Sequence, residues 1–154
     1  MSETLFWRNL NRMKDYRIEH RKILVQEYQQ IRNTTDWTPV ENKVVEKALE
    51  KDLFSICVVD ANKIIGIGRV IGDGALYFYI QDVIVSPNYQ GKGIGKLIMK
   101  NIETYINQNA NNNSFVGLMA AKETKEFYYN FGYKERPANK PGMYKVIKRE
   151  HSSS

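Results

Sequence analysis

Three glycines at alternate positions constrain this chain most. Gly91, Gly93 and Gly95 stand in the run VIVSPNYQGKGIGKLIMK, Val83 to Lys100, between a β-like stretch and a helical pattern. Each glycine in a helix costs about 1 kcal/mol against alanine. Three of them at a helix start mean that the backbone itself is needed there. The first amides of a helix lack intrahelical partners and carry the positive end of its dipole. Glycine lets a phosphate approach those amides, and Lys92 and Lys96 add positive charge. The run QGKGIG therefore reads as a diphosphate cradle. Neither common phosphate motif fits: Leu97 follows Lys96 where G-x-x-x-x-G-K-[ST] needs Ser or Thr, and Lys96 takes the third glycine position of G-x-G-x-x-G.

The rest of the pattern supplies a frame for that loop. Leu24, Val25, Tyr28 and Ile31 recur at helical spacing, as do Val44, Val45, Ala48 and Leu49. Pro39 breaks the first helix from the second. Upstream, DYRIEHRKIL alternates well enough for a strand, although its neighbours read as helical. LFSICVVD and IIGIGRVI form two β-rich runs around the turn ANK, a hairpin pattern. GDGA is a further turn. LYFYIQDVIV is almost continuously apolar, as in a strand buried on both faces. After the glycines, Ile94, Leu97, Ile98, Ile102 and Ile106 form a helical stripe. SFVGLMAA predicts a strand, KETKEFYYNF a short helix closed by Gly132, and GMYKVIK a last strand paired near YKERP. The expectation is an α/β (α+β) fold, with one mixed central β-sheet flanked by helices, as a single domain over residues 1–150 with a disordered tail at 151–154.

Composition narrows the function classes. The chain has 154 residues, is 42% apolar and carries 23 basic against 17 acidic side chains, a net charge of +6. The excess favours polyanionic ligands. A nucleic-acid binder lacks support, because no helix-turn-helix, aromatic stacking platform or basic run is present. Cys57 is the one cysteine, so no intrachain disulfide or zinc cluster can form. His20 and His151 have no sequence partner, and no metal site is expected. MSETLFWRNL reads as no signal peptide, and no apolar run is long enough to span a membrane. A cytoplasmic protein is expected.

Gln90-Gly91-Lys92-Gly93-Ile94-Gly95 resembles the [RQ]-x-x-G-x-[GA] signature of the GNAT superfamily, the acyl-CoA-dependent N-acyltransferases. The resemblance extends through the preceding strand and following helix to EFYYNFGYKERP, which is similar to an F-Y-x-x-x-G-[FY] segment near the end of those domains. It is good over residues 53–147 and weak over the first 50. It implies a single GNAT-like domain and a transfer of acetyl from acetyl-CoA to a small-molecule or peptide primary amine, with no metal. It also implies that the amides from Lys92 to Lys96, with Gly91, Gly93, Ile94 and Gly95, hold the coenzyme A diphosphate and that Gln90 braces the loop. By the same resemblance Val83, Ile84 and Val85 pair with the pantetheine arm, and a bulge of unknown position aims an N–H at the thioester oxygen. Tyr128 falls where the pattern has a proton donor to the leaving thiolate. Asp82 is the candidate general base, with hydrogen-bond anchoring as its equal alternative; Asp73 reads as a turn residue. Trp37 and Tyr79 are candidates for the acceptor pocket. A module that binds acyl-CoA without chemistry is the alternative function, and the family's frequent dimers leave a homodimer open.

Overall fold

The computed structural model describes residues 16–150. The expected tail at 151–154 and the run MSETLFWRNL lie outside the described residues. By its contacts the chain divides into two compact units, Met1–Met119 and Ala120–Ser154.

The first unit holds the sheet. Its strands are β1 (Tyr16–Glu19), β2 (Phe54–Asp60), β3 (Lys63–Gly72), β4 (Tyr77–Val85) and β5 (Phe115–Gly117). Its helices are α1 (Val25–Arg32), α2 (Asn42–Leu49) and α3 (Ile94–Asn109), with a 3₁₀ turn at Pro87–Tyr89. The spatial order is β1-β2-β3-β4-β5. The first four strands pair antiparallel, whereas β5 runs parallel to β4. The segment β4–α3–β5 is thus the crossover unit that the pattern predicted. The region before α1, ambiguous in sequence, forms edge strand β1.

Both faces of the sheet are covered, and β3 shows how. Gly66 and Gly68 alternate along it with Ile67 and Arg69, so the two pairs face opposite ways. A Cβ on Gly68 would lie 2.6 Å from Ile98 and 2.9 Å from Ile102, both on α3. The bare glycines let that helix press directly on the sheet. Its buried stripe is Ile94, Ile98, Met99, Ile102 and Ile106. On the other face Ile67 joins Tyr28, Ile31, Val45, Leu49, Cys57, Val59 and Ile84 in one apolar cluster beneath α1 and α2. The start of α1 is held by Glu27, which accepts the Leu24 N–H at 3.0 Å and two Arg21 N–H groups at 2.8 and 2.9 Å.

The near-continuous apolar run of β4 is buried on both faces: Phe78 lies edge-on to Tyr105 of α3, while Ile84 joins the cluster beneath α1 and α2. One sequence expectation is corrected here. The expected last strand GMYKVIK is absent from the described residues. The second unit contains α4 (Lys125–Tyr129), and residues 141–150 have no regular secondary structure. Met143 and Tyr144 are 91% and 80% exposed. With neither a ladder partner nor a covering layer, β propensity alone does not hold a strand.

Candidate active site

The central strands part. β4 and β5 pair only at Tyr77–Phe115, Phe78–Val116 and Tyr79–Gly117. Beyond Tyr79, the edge of β4 that faces away from β3 has no strand partner among the described residues. Main-chain donors and acceptors of an extended ligand can pair with such an edge. On its other side β4 pairs Gln81 with Arg69 and Ile84 with Ile67, so that two residues, Asp82 and Val83, oppose the single Gly68. This is a β-bulge. Asp82 takes φ 54° there, a left-handed conformation that a residue with a Cβ rarely adopts. The structure therefore locates the bulge that the sequence left unplaced.

A buried polar network holds that conformation. Arg69 Nη1 and Tyr28 Oη each donate to Asp82 Oδ2 at 2.7 Å. Gln81 Nε2 donates to Asp82 Oδ1 at 3.1 Å. Behind Asp82, Arg69 grips Asp52 with Nη2 at 2.8 Å and Nε at 3.0 Å, and Ser55 also donates to Asp52 at 2.8 Å. Above it, Arg32 Nη1 donates to Tyr28 Oη at 3.2 Å and lies 3.9 Å from Asp82 Oδ1. The Arg32 guanidinium stacks 5.2 Å over Trp37. Burial works against the charge on Arg69, but Asp52 and Asp82 more than offset it and hold its pKa above the ordinary arginine value. Burial, and then the Asp82 carboxylate, push the Tyr28 phenol up to about 12. Both Asp82 oxygens already accept hydrogen bonds.

At the end of β4 the chain enters the glycine loop. Gln90 Nε2 donates to the Val85 carbonyl at 3.1 Å, tying the loop back to the strand. Gly91 and Gly93 have φ 76° and 84°, and Gly93 is the N-cap of α3. A Cβ at either would meet nothing within 4 Å, so the loop faces open space and is glycine for its backbone angles. The first helical bond here runs from Leu97 N–H to Gly93 C=O at 3.0 Å. The amides from Gly91 to Lys96 donate to no protein acceptor among the described residues. Lys92 Nζ lies 5.2 Å over the Tyr89 ring, whose hydroxyl donates to Asp60 at 2.7 Å. Free amides, open space and a tethered lysine suit a diphosphate.

The other candidates fall as follows. Val83 lies in the bulge, Ile84 is buried in the α1–α2 cluster and Val85 supplies the carbonyl to Gln90. Tyr79 belongs to the last β4–β5 pair, and its hydroxyl is buried without a hydrogen-bond partner. Trp37 is half-buried beside Arg32 and packs on the α1–α2 cluster. In the second unit, Tyr128 lies in α4 with its ring 5.1 Å from Phe127 and 6.4 Å from Tyr133. Burial raises its phenol pKa. Sequence reasoning missed Arg69, Asp52, Tyr28 and Arg32. The available signal was the arginine in IIGIGRVI: a charge inside an apolar strand needs a buried partner. Among the described residues no group of three His, Cys, Asp or Glu side chains could hold a metal, and no helix is long and apolar enough to cross a membrane.

A parted parallel strand pair, a bulge beside it and a glycine loop leading into a helix define the class of acyltransferase fold that the motif implied. The chain belongs to the GNAT acetyltransferase family: the family described as Acetyltransferase (GNAT) domain matches residues 24–142. A solved structure from meticillin-resistant Staphylococcus aureus, a protein of unknown function described as a probable acetyltransferase, superposes with a TM-score of 0.81 at 31% identity, over 86% of this chain and 99% of that one. The soybean (Glycine max) Histone acetyltransferase TAP1 is 37% identical over 86 residues, 55% of this chain. The match spans only 36% of that relative's length. An uncharacterized N-acetyltransferase ycf52 of Pyropia yezoensis is 27% identical over 84% of this chain and 75% of its own length.

Proposed function

We propose that this chain transfers the acetyl group of acetyl-coenzyme A to a primary amine by direct attack, without a covalent enzyme intermediate. One observation carries the proposal: the edge of β4 that parts from β5 leads straight into a loop whose amides from Gly91 to Lys96 have no protein acceptor among the described residues. An extended arm ending in a diphosphate matches that sequence of binding elements.

Acetyl-coenzyme A supplies the activated thioester. The chain's residues do the rest. Gly91 to Lys96 hold the diphosphate, and Val83 to Val85 offer main-chain groups to the pantetheine arm. The bulge at Asp82–Val83 is the place for a main-chain N–H that stabilises negative charge developing on the thioester carbonyl oxygen. Tyr128, by its place in the family motif, protonates the departing thiolate. Trp37 and Tyr79 line the acceptor side. We assign Asp82 to anchoring the bulge, since its oxygens are engaged by Tyr28, Arg69 and Gln81. The ammonium proton of the acceptor then leaves through water. The acceptor is a small-molecule or peptide amine; the name of the soybean relative supports a peptide. A reducing compartment, the cytoplasm, suits Cys57, which is unpaired and buried and whose thiol burial pushes up to about 12.

The test couples binding to chemistry. Calorimetric titration with coenzyme A should give one saturable site, and a thiol-release assay over an amine panel should find at least one acceptor. Absence of coenzyme A binding would overturn the reading. Binding with no thiol release from any amine would support a module that binds acyl-CoA without turning it over.

A further inference from the structure

Asp52 lies outside every element assigned to the cofactor or the acceptor, yet one side chain ties it to the strand bulge. It sits between the end of α2 and the start of β2. The neighbouring Leu53 N–H donates to the Val70 C=O of β3 at 2.9 Å, so this connection is fastened to the strand beside Arg69. The Asp52 side chain is 1% exposed, that of Arg69 8% and that of Asp82 2%.

Arg69 divides its donors between two carboxylates. One edge of the guanidinium, Nε and Nη2, holds Asp52 at 3.0 and 2.8 Å, and Nη1 donates to Asp82 Oδ2 at 2.7 Å. Ser55 Oγ donates to Asp52 Oδ2 at 2.8 Å and fixes the far end. A guanidinium is planar, and its donors form a rigid fork. Gripped along one edge, Arg69 has its remaining nitrogen set in direction, and the Asp82 carboxylate follows it. On β3, Arg69 pairs with Gln81, the residue next to the bulge, and the Asp82 backbone is held at φ 54°. A left-handed angle at a residue with a Cβ persists only where the surrounding contacts over-determine it. Without the Asp52 charge, Arg69 would be buried with Asp82 as its one counter-charge, and Arg32 Nη1 also approaches Asp82 at 3.9 Å.

We propose that Asp52 is a positioning residue for acetyl transfer: through Arg69 it sets the direction of the Asp82 carboxylate, and with it the main-chain N–H groups of the bulge. The proposal rests on the acetyltransferase reading above. A bulge N–H acts on charge that develops only in the transition state. Its misplacement therefore slows the chemical step and leaves binding of the thioester as it was. Asp52 itself touches neither substrate.

The experiment compares Asp52→Asn and Arg69→Lys with the wild-type chain, and with Val45→Ala, a core variant that loses apolar packing but no link between Asp52 and Asp82. Asp52→Asn removes the charge and keeps the shape, whereas Arg69→Lys keeps the charge and loses the fork. Urea melts fix conditions under which each variant is folded. For an amine that the wild-type chain acetylates, both network variants should lower kcat about tenfold or more. Their KM for acetyl-coenzyme A and their calorimetric affinity for coenzyme A should stay within about twofold of wild type. Val45→Ala should keep wild-type kcat. In 1H–15N NMR spectra of the unliganded chains, the amides of Asp82 and Val83 should shift in both network variants and hold their places in Val45→Ala. Ser55→Ala, a milder change that frees Asp52 Oδ2 from one bond, should shift the same amides and is read in this way should Asp52→Asn fail to fold. Wild-type kcat in Asp52→Asn, unmoved bulge amides in the Asp52 or Ser55 variant, or an equal loss of kcat in Val45→Ala would overturn the positioning role and leave the acetyl transfer standing. A wild-type chain that releases no thiol from acetyl-coenzyme A with any amine would instead overturn the acetyl transfer on which the proposal rests.

Discussion

Arg69 Nη1 donates a 2.7 Å hydrogen bond to the carboxylate of Asp82, whose own backbone is held in the left-handed region at φ 54°. The charge pair and the strained bulge are therefore one unit. A left-handed conformation at a residue with a Cβ costs about 1–3 kcal/mol, and here it is over-determined by Arg69, Tyr28 and Gln81. Removing one partner leaves a buried charge uncompensated, at about 3–5 kcal/mol. Arg69→Met should lower the unfolding free energy by that order in a urea melt. Asp82→Asn should lower stability and turnover while the pH profile of kcat/KM keeps its wild-type shape. Loss of the acidic limb in that variant would make Asp82 the base and sink the anchoring assignment.

Tyr28 gives the structure an alkaline limit. Its phenol is buried against Asp82 and pushed up to about 12 from an ordinary 10.0. The unfolded chain releases that proton near its ordinary pKa, so the stabilisation is complete below pH 10 and fades as the pH climbs toward 12. Cys57, also pushed up to about 12 from 9.0, adds the same trend from pH 9. Urea melts between pH 8.5 and 11.5 should show declining stability, with a shallower decline in both Tyr28→Phe and Cys57→Ala.

Gly93 separates conformation from space. At φ 84° a side chain is strained, although a Cβ there would meet no atom within 4 Å. Gly93→Ala should cost only about 1–2 kcal/mol of stability. It should weaken coenzyme A by about tenfold or more, because it moves the amides proposed to bind the diphosphate. Calorimetry with a parallel denaturant melt measures both. Equal affinity in wild type and variant would show that the loop does not hold the cofactor.

Gly68 is the converse, a matter of space alone. Its added Cβ would lie 2.6 Å from Ile98 Cγ2 and 2.9 Å from Ile102 Cδ1. Gly68→Ala should destabilise by about 1–3 kcal/mol through overpacking, visible as a lower denaturation midpoint at unchanged m-value. A neutral result would mean that α3 rides further from the sheet.

Tyr128→Phe addresses the proposed proton donor. Steady-state kinetics should show kcat reduced about 100-fold, with coenzyme A affinity nearly unchanged. An unaltered kcat would remove the hydroxyl from the mechanism.

Much of this molecule is local in origin and was legible residue by residue. The stripe from Ile94 to Ile106, the turn between Asp60 and Lys63, and the need for bare backbone at Gly91 and Gly93 follow from periodicity, turn chemistry and glycine's backbone freedom. These depend on neighbours in sequence, so sequence alone determined them. The partners of Arg69 lie 13 and 17 positions away, and Tyr28 meets Asp82 across 54. No local pattern encodes such distances. The bulge at Asp82–Val83 and the parting of β4 from β5 after Tyr79 arise from register between strands, and the failure of residues 141–150 to form a strand arises from the lack of a ladder partner. Those features were decided by tertiary structure, because hydrogen-bond pairing and charge burial are properties of what the folded chain brings together.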